Sequence, residues 1–229
     1  MNIIIHRGTH QIGGSAIEIS TTSTRILFDF GNELSLDEKY TPINIDIDGV
    51  TKGTPDCDGI VISHYHMDHL GQLTAALPEI PLYMGALSKE VAMIAAEHQN
   101  KNLYLRLLGA NTFRGGETFT IGDIRVRPLV IDHSAADSYM FVIEADGKRV
   151  LYTGDFRMHG LRSHVVEKLV KTYIGTVDVL ITEGTLVSRG VNDGISEAAV
   201  LADISSYIQD GKYVFVMCSS TNIDRIMGI

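Results

Sequence analysis

The chain contains 229 residues, of which 45% are hydrophobic and 21% are charged, and this balance excludes a wholly disordered protein. No apolar run approaches the ~20 residues that a membrane-spanning helix needs, and the N-terminus lacks the pattern of a secretory signal. The formal net charge of −9 excludes a nucleic-acid binder that works through a general basic surface, although bound divalent cations would add positive charge that this count omits.

The first third of the chain is typical of β-structure, because short apolar or β-branched runs alternate with Gly- and Thr-rich turns. Strands are predicted at Asn2–Arg7, Ala16–Ser20, Arg25–Phe28 and Gly59–Ser63. The polar stretch Leu34–Asp58 is predicted to be a long surface loop, and loops of that length are uncommon unless they serve a function.

The middle of the chain changes to apolar residues spaced three and four apart, which predicts helices at Leu70–Leu77, Leu87–His98 and Leu103–Leu108. A short strand, Pro81–Met84, is predicted between the first two helices. Five strands follow at Thr118–Ile121, Ile124–Val130, Tyr139–Ala145, Arg149–Tyr152 and Val179–Thr182.

The last elements are a helix at Ser196–Gln209, a strand at Tyr213–Met217 and the start of a helix at Asn222–Ile229. This order of strands and helices predicts an α+β fold in which two sheets pack face to face with helices outside.

Three histidines and one aspartate lie within six residues, in Ser63-His64-Tyr65-His66-Met67-Asp68-His69, directly after a predicted buried strand. Alternation places His64 and His66 on one side of an extended segment, and Asp68 and His69 follow where the chain turns into a helix. Two adjacent imidazoles suit one zinc ion, and the carboxylate with the third imidazole suits a second. A polar loop with chance histidines is the alternative, but a third of the nine histidines fall here.

Other candidate ligands end predicted strands. His133 would complete a three-histidine set on one ion, and Asp155 could bridge both ions with its carboxylate oxygens. Taken alone, each is better explained as a loop histidine or a turn aspartate, but the histidine-rich motif reverses that preference. Asp29 is predicted to orient a ligand histidine, and His10 is a candidate for substrate contact with Ser134, the neighbour of His133.

Together Asp29, His64-x-His66-x-Asp68-His69, His133 and Asp155 resemble the sequential motifs of the metallo-β-lactamase superfamily, over about Ile3 to Thr185. The resemblance implies a four-layered αββα sandwich with a two-zinc site at one edge. It also implies that hydrolysis depends on Asp68, as a ligand and proton acceptor, and on Asp155.

A finer resemblance is to the β-CASP nucleases, which include ribonuclease J and the nuclease of mRNA 3′-end processing. Glu183-Gly184-Thr185 is similar to their acidic motif A, and Gly8–Gly14 is similar to a loop beside their active sites. The segment Val214–Ser220 with Arg225-Ile226 looks like the strand and helix that open their inserted domain. This implies a metallo-β-lactamase domain over 1–190, the start of an inserted domain over 191–229, and a zinc-dependent nuclease acting on RNA more than on DNA.

The chain departs from this pattern because it has no histidine after His164, whereas the family has late histidines on the second metal and at the catalytic step. We therefore expect a sandwich that is incomplete at its C-terminal side, resembling an inactive front fragment of a longer enzyme, with little or no nuclease activity from this chain alone. The first zinc is expected to bind well, and the second weakly or not at all. The alternatives are a small-molecule metallo-hydrolase that cleaves a lactone or thioester, and a non-catalytic copy of the fold that acts as a binding module.

Partners and compartment follow from the same features. Exposed sheet surface in an incomplete sandwich would favour a homo-oligomer, and no membrane association is expected. The two cysteines, Cys57 and Cys218, are too few for a disulfide framework, which predicts a reducing, cytoplasmic environment.

Overall fold

Two β-sheets form the middle of the molecule in the computed structural model, which describes residues 1–35, 41–187, 194–209 and 213–229. The first is a six-stranded sheet in the order β1 (Asn2–Arg7), β2 (Ala16–Ser20), β3 (Arg25–Phe28), β4 (Gly59–Val61), β5 (Leu82–Gly85) and β6 (Asn111–Phe113). Its first three strands are antiparallel, whereas β3, β4, β5 and β6 run parallel.

The second sheet has five strands. In spatial order these are β11 (Val179–Ile181), β10 (Lys148–Tyr152), β9 (Tyr139–Ala145), β8 (Ile124–Val130) and β7 (Phe119–Ile121). A tight turn joins β9 to β10, where Asp146 and Gly147 have φ values of 51° and 68°. Two successive residues with positive φ are the signature of a two-residue hairpin turn, as the Asp-Gly sequence predicts.

Six α-helices and one π-helical turn accompany the sheets in the described part of the chain. They are α1 (Met67–Leu70), α2 (Ala86–Gln99), α3 (Lys101–Leu108), α4 (Ser163–Leu169) with a π-helical turn (Val170–Ile174), α5 (Glu197–Gln209) and α6 (Ile223–Gly228). The side chain of Asn100 starts α3 by accepting a hydrogen bond from the backbone N–H of Leu103 at 3.1 Å. In the described part of the chain, no helix combines the length and apolar character needed to cross a membrane.

Three apolar clusters show why these layers hold together. Phe28 and Val61 of the first sheet meet Phe141 of the second in the cluster between the sheets. A second cluster packs the outer face of the first sheet against α2 and α3, and a third packs the second sheet against α4 and the π-helical turn. Because each sheet buries both faces, the layer order is αββα, and the predicted α+β sandwich is confirmed.

Two expectations about local structure were wrong. The segment predicted as a helix over Leu70–Leu77 is a series of turns after α1, because the N–H groups of Gln72 and Leu77 bond to distant carbonyls of Phe30 and Val50. The loop before β4 is not wholly on the surface, since Val50 is fully buried in the core. Residues 36–40 of that loop lie outside the described residues.

The C-terminal expectations were partly wrong. No strand forms over Tyr213–Met217, where Phe215 is 95% exposed, because no neighbouring strand among the described residues offers it a ladder. Two observed elements, β6 and α4, are not among those predicted from the sequence. The predicted domain boundary between 190 and 191 lies outside the described residues.

Candidate metal centre

The histidine-rich motif follows the carboxyl end of β4. The other candidate ligands, His133 and Asp155, follow the carboxyl ends of β8 and β10. His64 and His69 are buried, and Asp68 has a side chain that is 13% exposed. The backbone carbonyl of Asp68 accepts hydrogen bonds from the N–H groups of Gly14 and Ser15 at 3.1 and 3.2 Å. A Cβ on Gly31 would lie 1.6 Å from that carbonyl oxygen, so only glycine allows this approach. The Gly8–Gly14 loop therefore supports the motif directly.

Three imidazole rings converge in what we term the three-histidine cluster, composed of His64, His66 and His133. Nδ1 of His66 lies 3.1 Å from Nε2 of His64 and 3.2 Å from Nε2 of His133. Zinc binds imidazole nitrogen at ~2.0–2.1 Å, so the edge of a tetrahedron around it would be about 3.3 Å. The observed separations match that edge, and the three nitrogens fit one transition-metal ion.

A second group of ligands, the acidic cluster, contains Asp68, His69 and Asp155. Nε2 of His69 lies 3.2 Å from a carboxylate oxygen of Asp155 and 3.7 Å from one of Asp68. His64, His69 and Asp155 can also present ligand atoms within 4.8 Å of one another. Asp155 thus lies beside His69 rather than among the three histidines, and His64 is the residue that links the two groups.

A buried carboxylate holds this arrangement from behind. Asp29 is fully buried, and it accepts hydrogen bonds from the backbone N–H and hydroxyl of Ser63 at 2.7 and 2.8 Å and from the hydroxyl of Tyr152. Nδ1 of His69 also donates to Asp29, at 2.7 Å. This bond leaves Nε2 of His69 directed at the acidic cluster and fixes the orientation of the ring.

Ser63 fixes the tautomer of His64 in the same way. Because its single hydroxyl proton is donated to Asp29, its oxygen accepts from Nδ1 of His64, which lies 3.0 Å away. Nε2 of His64 then carries the lone pair that a metal ion requires. Neither Ser63 nor Tyr152 stands out in the sequence, and Tyr152 is 123 residues from Asp29.

The protonation states of the two clusters differ. Burial lowers the pKa of His64 well below its ordinary value, and burial next to His66 lowers the pKa of His133 to about 3. Burial also opposes the charged form of His69, but the carboxylates of Asp29 and Asp155 outweigh it and raise the pKa well above 6.5. The three-histidine cluster therefore offers neutral ligands, whereas an ion at the acidic cluster must displace a proton from His69.

The remaining predicted residues surround the centre. Glu183, after β11, accepts a hydrogen bond from the backbone N–H of Phe156 at 2.8 Å and so fixes the turn that carries Asp155. Ser134 is half-buried next to His133. His10 is exposed in the loop after β1, and no described contact joins it to the ligands.

A comparison with known protein families decides the classification. The model of the Beta-lactamase superfamily domain matches residues 24–204. The chain belongs to this family. The match covers every strand from β4 onward and all the candidate ligands, and the resemblance found in the sequence is confirmed.

Several curated relatives of this superfamily domain are named as ribonucleases. A probable RNase MJ4 of Methanocaldococcus jannaschii is 25% identical over 202 residues, or 81% of this chain and 45% of the relative. An endoribonuclease YSH1 of Gibberella zeae is 27% identical over 91% of this chain and 27% of the relative. A ribonuclease J 2 of Streptococcus pyogenes is 25% identical over 97% and 41%. The chain therefore spans less than half the length of each of these three relatives.

Solved structures agree on the fold. A protein of unknown function from Enterococcus faecalis V583 superposes with a TM-score of 0.84 and 19% identity, covering 98% of this chain and 61% of that chain. An N-acyl homoserine lactone hydrolase with its product bound at the catalytic metal centre gives a TM-score of 0.51 and 16% identity, covering 78% and 84%. At these identities the matches show the superfamily fold alone.

Proposed function

We propose that this chain holds the metal centre of a zinc-dependent phosphodiesterase that cleaves RNA. The observation that carries the proposal is the convergence of His64, His66 and His133 beside the acidic cluster. Relatives named as ribonucleases favour a phosphodiester substrate and RNA over DNA. Because these relatives are more than twice as long as the part that this chain matches, we state the activity of the whole protein as part of this proposal.

The residues fit two metal ions of unequal affinity. The three-histidine cluster would hold the first, and Asp68, His69 and Asp155 would hold the second. Zinc at such a centre would supply Lewis acidity and an activated water near neutral pH. An ion at the second set must displace the proton that the neighbouring carboxylates favour on His69, so it is expected to bind more weakly than the first.

The chain's own residues supply orientation and proton transfer. Asp29 and Ser63 hold the His69 and His64 rings, so that the ligand nitrogens do not reorganise during a reaction. Burial raises the pKa of the Asp68 carboxyl, and this side chain stays partly exposed at the edge of the acidic cluster. A basic carboxylate open to solvent suits Asp68 as the acceptor of a proton from the attacking water.

We also propose that residues 1–190 form the metal-holding domain and that 191–229 begin an inserted domain. α5 and α6 contact each other, as parts of one unit would, and that unit lies against the metal-holding domain through the pairs Arg157–Glu197 and Arg162–Asp224. Both cysteines are free, in keeping with a reducing compartment, and we propose the cytoplasm.

Hydrolysis assays on zinc-loaded protein test the function. We expect slow, metal-dependent cleavage of an RNA oligonucleotide, less cleavage of DNA and none of an acyl homoserine lactone or thioester. Asp68→Asn should abolish cleavage, whereas His98→Ala, which changes a histidine 88% exposed on α2, should not.

Two results would overturn this proposal. Lactone or thioester hydrolysis without phosphodiester cleavage would make the protein a small-molecule hydrolase. Full zinc loading with no hydrolysis of any substrate would make it a binding module.

A further inference from the structure

Two ligands of the candidate centre come from different loops, and one pair of residues ties those loops together. His133 follows β8, and Asp155 follows β10. The backbone N–H of Arg157 donates to the carbonyl of Asp132 at 2.7 Å, and its Nε donates to the Asp132 carboxylate at 3.2 Å. Asp132 immediately precedes His133, and Arg157 is two residues after Asp155, so this double contact sets the spacing of the ligands.

The ion pair of Asp132 and Arg157 is buried and closely packed. The Asp132 side chain is fully buried, and the Arg157 side chain is only 12% exposed. A Cβ on Gly160 would lie 2.1 Å from the Asp132 carboxylate and 2.5 Å from Nε of Arg157. The backbone at 160 thus passes so close to the ion pair that any side chain would displace it.

A second carboxylate extends the pair toward the C-terminal helices. Glu197, at the start of α5, is 2% exposed and lies 3.4 Å from Nη1 of Arg157. Arg225 of α6 donates to both oxygens of Glu197, at 2.6 and 2.9 Å. The order Asp132, Arg157, Glu197, Arg225 alternates in charge, so each buried group has a partner of opposite sign.

We propose that Arg157 is a positioning residue for the metal centre, and that Glu197 and Arg225 hold it in place. This inference rests on the proposed metal site and deepens it. Arg157 sets the distance between the loops of His133 and Asp155, and through Glu197 it links that distance to the placement of α5 and α6. Loss of the guanidinium would let the two loops separate while each ligand side chain remained intact.

Metal binding tests the role of Arg157 without relying on catalysis. Zinc affinity would be measured by competition with a chelating dye, and site geometry by the visible absorption of the cobalt(II)-substituted protein. We expect Arg157→Met to weaken zinc binding by about 10–100-fold, as removal of outer-sphere partners does, and to change the cobalt spectrum. Arg157→Lys should restore binding in part because it keeps the charge but not the forked geometry.

Controls separate this role from general stability. Arg125→Met removes an arginine of β8 whose side chain is 59% exposed, and it should leave zinc affinity and the cobalt spectrum unchanged. Should Arg157→Met not fold, Glu197→Gln keeps the shape of the network and should still weaken zinc binding. Wild-type affinity and spectrum in both a folded Arg157→Met and Glu197→Gln would overturn the inference. Failure of the wild-type chain to bind zinc would instead overturn the metal centre.

Discussion

The two clusters of the candidate centre lie side by side, yet they are assembled from different chemistry. The three-histidine cluster uses imidazoles that burial keeps neutral, so its ligand atoms are ready before a metal ion arrives. The acidic cluster surrounds one histidine with carboxylates, which raise its pKa and favour a bound proton. Metal ions compete with protons for such ligands, so the acidic cluster should bind its ion more weakly.

The clusters also differ in what supports them. His64 and His69 are both fixed through Ser63 and Asp29, whereas His133 depends on a loop whose position is set by contacts to Arg157. The best-supported part of the centre is therefore the group of residues that follow β3 and β4, namely Asp29, Ser63, His64 and His69. The ligands that come from the second sheet must be brought to it by packing between sheets.

Removal of Asp29 should give the largest effect, because it would damage both clusters at once. Asp29→Ala leaves the buried donors of Ser63, His69 and Tyr152 without their acceptor. Breaking a buried, charged network of this kind costs about 3–5 kcal/mol, which urea denaturation of the metal-free protein would measure. Asp48→Ala, at a side chain 93% exposed, is the control and should change stability little.

Substitution within each cluster should separate the two ions. His133→Ala should remove the tightly bound ion, with a loss of affinity greater than the ~10–100-fold typical of outer-sphere changes. His69→Ala should remove only the weak ion. Elemental analysis after dialysis against a weak chelator would count the ions in each variant. Equal retention of metal by both variants would show that the clusters do not form separate sites.

The pH dependence of stability should have opposite signs in the two clusters. The pKa of His133 in the folded protein, about 3, is below its ordinary value of 6.5, so the unfolded chain binds protons more strongly as the pH falls. Stability of the metal-free protein should therefore decline from pH 6.5 toward pH 3. His69 has a raised pKa, so its contribution is complete below pH 6.5 and is lost as the pH rises through that raised value.

Urea midpoints across this range, measured in a chelator, would resolve the two contributions. His133→Asn should flatten the decline on the acid side, and His69→Asn should remove the loss on the alkaline side. Identical profiles for both variants would contradict the assignment of opposite shifts.

The sequence predicted the strands that carry the site better than the segments between them. β1, β2 and β3 have the expected bounds because alternating apolar residues and Gly- or Thr-rich turns define them locally. Leu70 and Leu73 have helical spacing and both are buried in the core, but the helix α1 ends at Leu70 and Leu73 lies in a turn. The N–H groups of Gln72 and Leu77 in the segment after α1 bond to the carbonyls of Phe30 and Val50, which are far away in the sequence and which no local pattern reveals.

The ligands could be proposed from the sequence because their residue types and spacing are chemically specific. Their supporting residues could not, since Tyr152, Arg157 and Glu197 reach partners 25 to 123 residues away. The segment around Phe215 is the opposite case, in which the local sequence predicts an element that does not form. It has the composition of a strand, yet strand formation needs a neighbour that the described residues do not provide.

Tyr65 offers the mildest test, because removing its hydroxyl leaves its ring in place beside the ring of His66. The hydroxyl donates to the carbonyl of Thr221 at 2.6 Å and accepts from the N–H of Ala136 at 2.8 Å, so it joins the histidine motif to the loop after His133 and to the C-terminal segment. Tyr65→Phe keeps the buried ring and leaves those two backbone groups unpaired, at a cost of about 1–3 kcal/mol. The three-histidine cluster should keep its ion, because Ser63 and Arg157 still hold its loops. A loss of zinc affinity as large as that of Arg157→Met, measured with the same dye, would mean that the Tyr65 hydroxyl positions His133 as strongly as Arg157 does.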